Sequence, residues 1–209
     1  MDNRGVLCVV SGFSGAGKGT LMRRLLSEYD SYALSVSATT RQPREGEADG
    51  REYFFKTNEE FEQMIRDGEL LEYAKYVDHY YGTPRSYVMK NLEAGKDVLL
   101  EIEIQGAMNI RKAFPEALLI FVTPPSAEEL RNRLIGRGTE DIGTIEARLS
   151  RASEEAAGMD QYDYLVVNDQ VERCAEEMHG IIQAAHARMN NHLAFVKNIQ
   201  EQMMQYKKA

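Results

Sequence analysis

Gly12-Phe13-Ser14-Gly15-Ala16-Gly17-Lys18-Gly19-Thr20 decides the fold of this chain. It follows an apolar run, Val6-Leu7-Cys8-Val9-Val10, and precedes a helical pattern carrying Leu21, Met22, Leu25 and Leu26. Strand, glycine-rich loop and helix in that order are the setting of a phosphate-binding loop. Glycines let backbone N–H groups turn inward and approach phosphate oxygens closely. The helix that follows directs its positive end at the same anion. Gly12 and the Gly17-Lys18 pair stand at the full spacing, so Lys18 can reach the β- and γ-phosphates of a nucleotide. Gly19 occupies the position where Ser or Thr usually offers a hydroxyl to magnesium, and Thr20 comes one residue late.

Outward from the loop, strand-like runs recur at Val98–Ile104, Leu118–Val122 and Tyr164–Val167, with a weaker one at Ala33–Val36. They are continuous rather than alternating, as parallel strands covered on both faces require. Helical patterns lie between and around them, at Leu21–Tyr29, Glu59–Asp67, Tyr87–Ala94, Ala127–Ile135 and Thr144–Ala157. A long Met-rich helical stretch runs from Glu172 to the C-terminus, read as packing on the core, with an oligomer contact as the second reading. Alternation of this kind predicts an α/β fold with a parallel sheet core flanked by helices. Two segments interrupt it. Ala38 to Tyr81 is polar and punctuated by Pro43, Gly46 and Gly50, with an aromatic strand-like piece, Tyr53-Phe54-Phe55. Thr57 and Glu60 have capping-box spacing for the helix that follows. This stretch is read as an inserted subdomain. The second segment, Glu128 to Ser153, is dense in arginine and carries Gly136, Gly138 and Gly143 as hinge candidates.

The 209 residues fit one domain or one core with small insertions. A formal charge of −8 argues against nonspecific nucleic-acid binding. No apolar run approaches the ~20 residues of a membrane span, and none reads as a signal peptide. Cys8 and Cys174 are too few for a disulfide framework and suit buried thiols in a reducing compartment, so a cytoplasmic location is expected. His79, His179, His186 and His192 show no metal-ligand spacing.

A phosphate loop does not name the phosphoryl acceptor. Arg41 and Arg44 put two planar guanidiniums beside Pro43, a pair suited to a phosphate monoester. Tyr53 and Tyr80-Tyr81-Gly82-Thr83 add hydroxyl donors. Glu101 and Glu103 end an apolar strand on one face by period two, where ligands collect in a doubly wound sheet. Acids there can hold the water ligands of magnesium. Arg131, Arg133, Arg137, Arg148 and Arg151 read as a mobile lid whose closure neutralises a transferring phosphoryl group.

Taken in order, these motifs resemble the guanylate kinase family from about residue 5 to 185. The resemblance is carried by the phosphate loop, Ser37-Ala38-Thr39-Thr40-Arg41-Gln42-Pro43-Arg44, Gly50-Arg51-Glu52-Tyr53-Phe54-Phe55 and Leu71-Glu72-Tyr73. It continues through Tyr80-Tyr81-Gly82-Thr83, Ile102-Glu103-Ile104-Gln105-Gly106, Pro124-Pro125-Ser126, Arg133, Gly136-Arg137-Gly138, Arg148 and Val167-Asn168-Asp169. It implies a P-loop NTPase fold that transfers the γ-phosphate of ATP to GMP with magnesium. The implied organisation is a core of 5–36, 97–127 and 160–185, a GMP-binding insertion at 37–92, a lid at 128–158 and a helical extension at 186–209. ATP would lie on Gly12, Phe13, Ser14, Gly15, Ala16, Gly17, Lys18, Gly19 and Thr20, with Arg137 and with Asn168 near adenine. Arg41, Arg44, Tyr53 and Tyr81 would hold the GMP phosphate. Ser37, Glu72 and Thr83 would read guanine, with Glu103 also in the GMP site. Lys18, Arg41, Arg133, Arg137 and Arg148 would serve the chemistry, and Glu101 would hold magnesium through water. Many members have Ser at position 19, Asp at 101 and 103, and Asp at 170, where this chain has Gln170. Another P-loop kinase, acting on a different nucleoside monophosphate or a ribose bisphosphate, is the alternative enzyme. A noncatalytic guanylate-kinase-like binding module is the alternative of a different class.

Overall fold

The computed structural model describes residues 4–76, 78–136 and 141–207. β1 (Leu7–Gly12) leads through the glycine loop into α1 (Lys18–Glu28). Next come β2 (Tyr32–Leu34), β3 (Ser37–Thr39), β4 (Tyr53–Phe55), α2 (Asn58–Arg66), β5 (Leu70–Tyr76), β6 (His79–Pro84) and α3 (Arg85–Glu93). The chain then forms β7 (Asp97–Glu101), α4 (Ile104–Ala113), β8 (Leu118–Thr123), α5 (Ala127–Gly136) and α6 (Ile142–Ala156). β9 (Tyr164–Val167), α7 (Val171–His186) and α8 (Leu193–Met204) complete the described elements, with short 3₁₀ turns at Met159–Gln161 and Met189–His192.

The main sheet has the order β2-β7-β1-β8-β9, with every pairing parallel. Alternate residues of β1 feed opposite layers. Cys8 and Val10 join a cluster with Leu21, Met22 and Leu25 of α1 and Ala175, Met178 and Ile182 of α7. Leu7 and Val9 join a second cluster with Val88 and Leu92 of α3 and Ala107 and Ile110 of α4. Burying one such leucine or valine fully contributes about 1.5–3 kcal/mol. β1 lies between β7 and β8: the chain builds β2 and β7 on one side of it and then β8 and β9 on the other, a reversal at whose carboxyl end ligand crevices form.

The inserted stretch carries a second sheet, in the order β4-β3-β6-β5. Phe61 of α2 is fully buried against it with Ala38 and Leu70. The capping box is present: Glu60 N–H donates to Thr57 Oγ1 at 3.1 Å, and Thr57 N–H donates to Glu60 Oε2 at 2.8 Å.

Three expectations need correction. The strand expected over Val98–Ile104 stops at Glu101, and Ile104 opens α4. Ile102 and Ile104 extend the apolar pattern, but Gly106, Ala107 and Ile110 form a buried helical face. Glu103 is therefore the residue before a helix, not part of the strand. The C-terminal stretch is two helices. Asn191 Nδ2 donates to the Ala185 carbonyl at 2.8 Å, and such side-chain competition with the backbone ends α7 near Ala187. Finally, β3, β5 and β6 lie in a segment read mainly as polar. Their short half-buried faces are completed by α2 and give little periodicity of their own. Among the described residues no helix is long and apolar enough to cross a membrane.

Candidate active site

Between β1 and α1 the loop takes the conformation its glycines allow. Gly12, Gly15 and Gly17 have φ of 151°, 96° and 90°, a region side chains disfavour. Space is equally restrictive. A Cβ on Gly12 would stand 2.0 Å from the Val122 carbonyl oxygen, and one on Gly17 would stand 2.5 Å from Asn168 Nδ2. Gly17 caps α1 without a side-chain acceptor, so the first N–H groups of the helix face the loop as anion donors. Lys18 Nζ arches over the loop and donates to the carbonyls of Gly12 at 2.7 Å and Phe13 at 3.1 Å.

Two residues brace the loop, one just beyond β9 and one on α5. Asn168 is 3% exposed, and its amide donates to the Ala16 carbonyl at 2.8 Å. Its place is thus under the loop backbone, a contact the adenine assignment did not foresee. Arg133 donates to the Asn168 carbonyl at 2.9 Å and to Glu129 Oε1 at 2.7 Å. From α6, Arg148 donates to Ser14 Oγ at 2.8 Å, so the arginine-rich segment already touches the loop. Arg137 lies outside the described residues, as does Gly138. Thr20 Oγ1 accepts from Arg23, one turn on, at 3.2 Å.

The carboxyl end of β7 supplies the acids. The ladder pairs Glu101 with Val10, which sets its carboxylate beside the loop. Ser11 Oγ donates to the Ile102 carbonyl at 2.7 Å and fixes the chain just beyond. Crowding by the surrounding protein raises the pKa of Glu101, while Lys18 and Arg23 pull it back. Glu103 is raised for the same reason, opposed first by Arg151, which binds it at 2.7 Å.

A cavity of about 240 Å³ joins these acids to the second sheet through Ser37, Tyr53, Glu72, Tyr81 and Gly106. Glu72 is buried and accepts from Thr83 Oγ1 at 2.7 Å. Burial raises its pKa; the Thr83 hydroxyl lowers it, and nearby Glu103 adds to the rise. Tyr81 meets Tyr53 edge-on, with ring centroids 6.0 Å apart, and the Arg41 guanidinium lies 5.2 Å over the Tyr53 ring. Arg41 is also clamped by Glu47, with Nη2 at 3.0 and 2.9 Å from the two carboxylate oxygens. Glu47 accepts from the Arg44 N–H as well, at 2.8 Å, while the Arg44 side chain is exposed. The sequence presents Arg41 and Arg44 as a pair of cations for a phosphate. Glu47 already neutralises the first, and the sequence reading gave it no role. Arg151 stands among the lid arginines, and its position i−4 to Glu155 gives no hint of Glu103.

Comparison with known proteins bears on this arrangement. Residues 4–185 match the family model described as guanylate kinase. The chain is 53% identical over 201 residues to a guanylate kinase of Bacillus anthracis, covering 96% of this chain and 98% of that one. It is 54% identical over 187 residues to a guanylate kinase of Bacillus subtilis (strain 168), covering 89% and 92%. Among solved structures, the guanylate kinase from Anaplasma phagocytophilum superposes with a TM-score of 0.72 at 34% identity, covering 88% of each chain.

Proposed function

The chain belongs to the guanylate kinase family, and from that premise we propose that it transfers the γ-phosphate of ATP to GMP. One observation carries the choice of acceptor. A buried carboxylate, Glu72, held by the buried Thr83 hydroxyl, lines a cavity whose walls also include Ser37, Tyr53, Tyr81, Glu101 and Glu103. Guanine offers N1–H and an exocyclic amine to a carboxylate; the Thr83 hydroxyl spends its proton on Glu72, leaving Ser37 on the cavity wall to donate to O6. Adenine has no N1 donor and would leave the Glu72 oxygen not held by Thr83 short of a donor in a buried site.

In this reading an oxygen of the GMP phosphate attacks the γ-phosphorus of ATP, the bond to the bridging β-phosphate oxygen breaks, and GDP and ADP result. The loop N–H groups and Lys18 hold the donor phosphates, and Arg41, Arg44, Tyr53 and Tyr81 hold the acceptor phosphate. Ser37 lines the base end, and Arg133, Arg137 and Arg148 neutralise the transferring group. Asn168 and Arg133 also keep the loop in shape through Ala16 and the Asn168 carbonyl. Magnesium suits the donor set. Glu101 is a hard oxygen ligand beside the loop, and among the described residues no three-carboxylate or histidine cage forms. An ion there would take most ligands from water and phosphate, with Glu101 reached through water. It would supply charge neutralisation on the phosphates. The second sheet, with its own small cluster around Phe61, supports an inserted unit within 37–92. The lid at 128–158 rests on the family resemblance, since Leu130, Leu134, Ile145 and Ala152 of that segment pack into the main core. Buried Cys8 and Cys174, neither in a disulfide, support a reducing, cytoplasmic setting.

The test is ATP consumption with GMP, AMP, UMP and a ribose bisphosphate supplied separately. Turnover with GMP alone is the expected result. Equal turnover with another acceptor would overturn the choice of base, and none with any would point to a binding module.

A further inference from the structure

Glycine at position 106 has no conformational explanation. It lies in the first turn of α4, its φ is outside the left-handed region, and helix interiors favour alanine over glycine. What distinguishes it is space. A Cβ there would stand 2.9 Å from Glu72 Oε2, 3.4 Å from Glu72 Cδ and 3.3 Å from Ile102 Cδ1. Ile102 can turn aside. Glu72 has little freedom, because Thr83 holds its other oxygen at 2.7 Å.

The backbone of β5 aims Glu72 at the same spot. Its pairing with β6 shifts register between Leu70 and Tyr73. Leu70, Leu71 and Glu72 are consequently all buried, where a regular strand would turn one of them outward. The carboxylate then rests against the first turn of α4, a favourable place for an anion. Register shift, hydroxyl and absent side chain together fix one carboxylate position on the cavity wall.

We infer that Gly106 is a specificity-determining position for the acceptor base, its missing side chain leaving the space that the Glu72 carboxylate needs to face guanine. The inference rests on the reading of Glu72 as the guanine-recognising group. Gly106 acts through Glu72, so it is a positioning residue.

The test compares kcat/KM for GMP and AMP, and KM for ATP, in the wild type, Glu72→Gln, Gly106→Ala, Glu72→Asp and the Gly106→Ala/Glu72→Asp double variant. Gly106→Ala should raise KM for GMP and lower the GMP-to-AMP ratio by about tenfold or more, the scale of a lost hydrogen bond to a charged group, with KM for ATP unchanged. Aspartate is a methylene shorter and vacates the contested space, so in that background the alanine should leave the ratio unchanged. If Glu72→Gln lowers the ratio while Gly106→Ala keeps it, the role of Gly106 is overturned and the base reading stands. If Glu72→Gln keeps the ratio, the base reading falls and this inference with it. Should Gly106→Ala alone not fold, the double variant reads the same clash: recovery of a cooperative melt supports it, and no recovery overturns it.

Discussion

Single atoms in the site have opposed demands. Lys18 Nζ binds two loop carbonyls but is placed to meet phosphate oxygens whose charge shifts during transfer. Interactions that strengthen only in the transition state raise turnover rather than affinity. Lys18→Ala should therefore lower kcat by about 10²–10³-fold with a smaller change in KM for GMP, measured on folded protein at saturating substrates. Glu72 is opposite in character, because burial penalises its working form. Its raised folded-state pKa means the folded chain holds that proton more tightly than the unfolded chain. The stability it contributes is full below the ordinary glutamate value and is lost as pH rises through the raised one. Glu72→Gln should thus raise the melting temperature at about pH 8, and the gain should vanish near pH 4, where the wild-type carboxyl is neutral too. Recognition runs the other way. KM for GMP should climb on acidification at a pH above the ordinary glutamate value of about 4.3, and Glu72→Gln should flatten that climb.

Among the elements, β1, the glycine loop and α1 form one unit whose tolerance is set by its neighbours. Gly12 combines a φ of 151° with a would-be Cβ only 2.0 Å from the Val122 carbonyl in β8. Neither backbone can retreat without breaking the β1–β8 ladder, which pairs these two residues. Gly12→Ala should destabilise the protein by about 3 kcal/mol or more in denaturant unfolding. It should also reduce binding of ATP analogues by calorimetry, since the carbonyl that Lys18 binds moves with it. By contrast, α8 buries none of its residues fully. Leu193, Phe195, Met203 and Met204 on it are at least half exposed.

At the scale of the whole molecule, the question is what draws the second sheet and α6 towards the core. Like charges within each arginine cluster would repel without an anion, but ion pairs already offset that repulsion. Arg41 is neutralised by Glu47, Arg133 by Glu129, and Arg151 by Glu103 and Glu155. Closure would then come from exchanging carboxylate partners for phosphate, which offers more charge and more acceptor oxygens. Adding GMP with a nonhydrolysable ATP analogue should shrink the radius of gyration in solution scattering. It should also slow amide exchange in residues 38–83 and 141–155. Unchanged scattering and exchange would mean a preformed site. Glu47→Gln should lower KM for GMP by a few-fold, because the phosphate no longer displaces a charged competitor from Arg41.

Much of this was local and hence readable along the chain. Glycines at fixed offsets, an apolar run before them and leucines at helical spacing depend only on neighbours in sequence. They determined the phosphate loop, the parallel core strands and the α2 capping box. The motif order determined the family, the candidate acceptor residues and the acids at the end of β7. The tertiary structure alone decided where those side chains stand. Nothing near Asn168 in sequence points to Ala16, and nothing near Gly106 points to Glu72. Nothing near Arg151 points to Glu103. The register shift in β5, the halt of β7 at Glu101 and the break after α7 likewise depend on partners far along the chain. Periodicity reports which face of an element is apolar. Which polar group meets which across the cleft depends on how separate elements pack, and that is fixed only when the chain closes on itself.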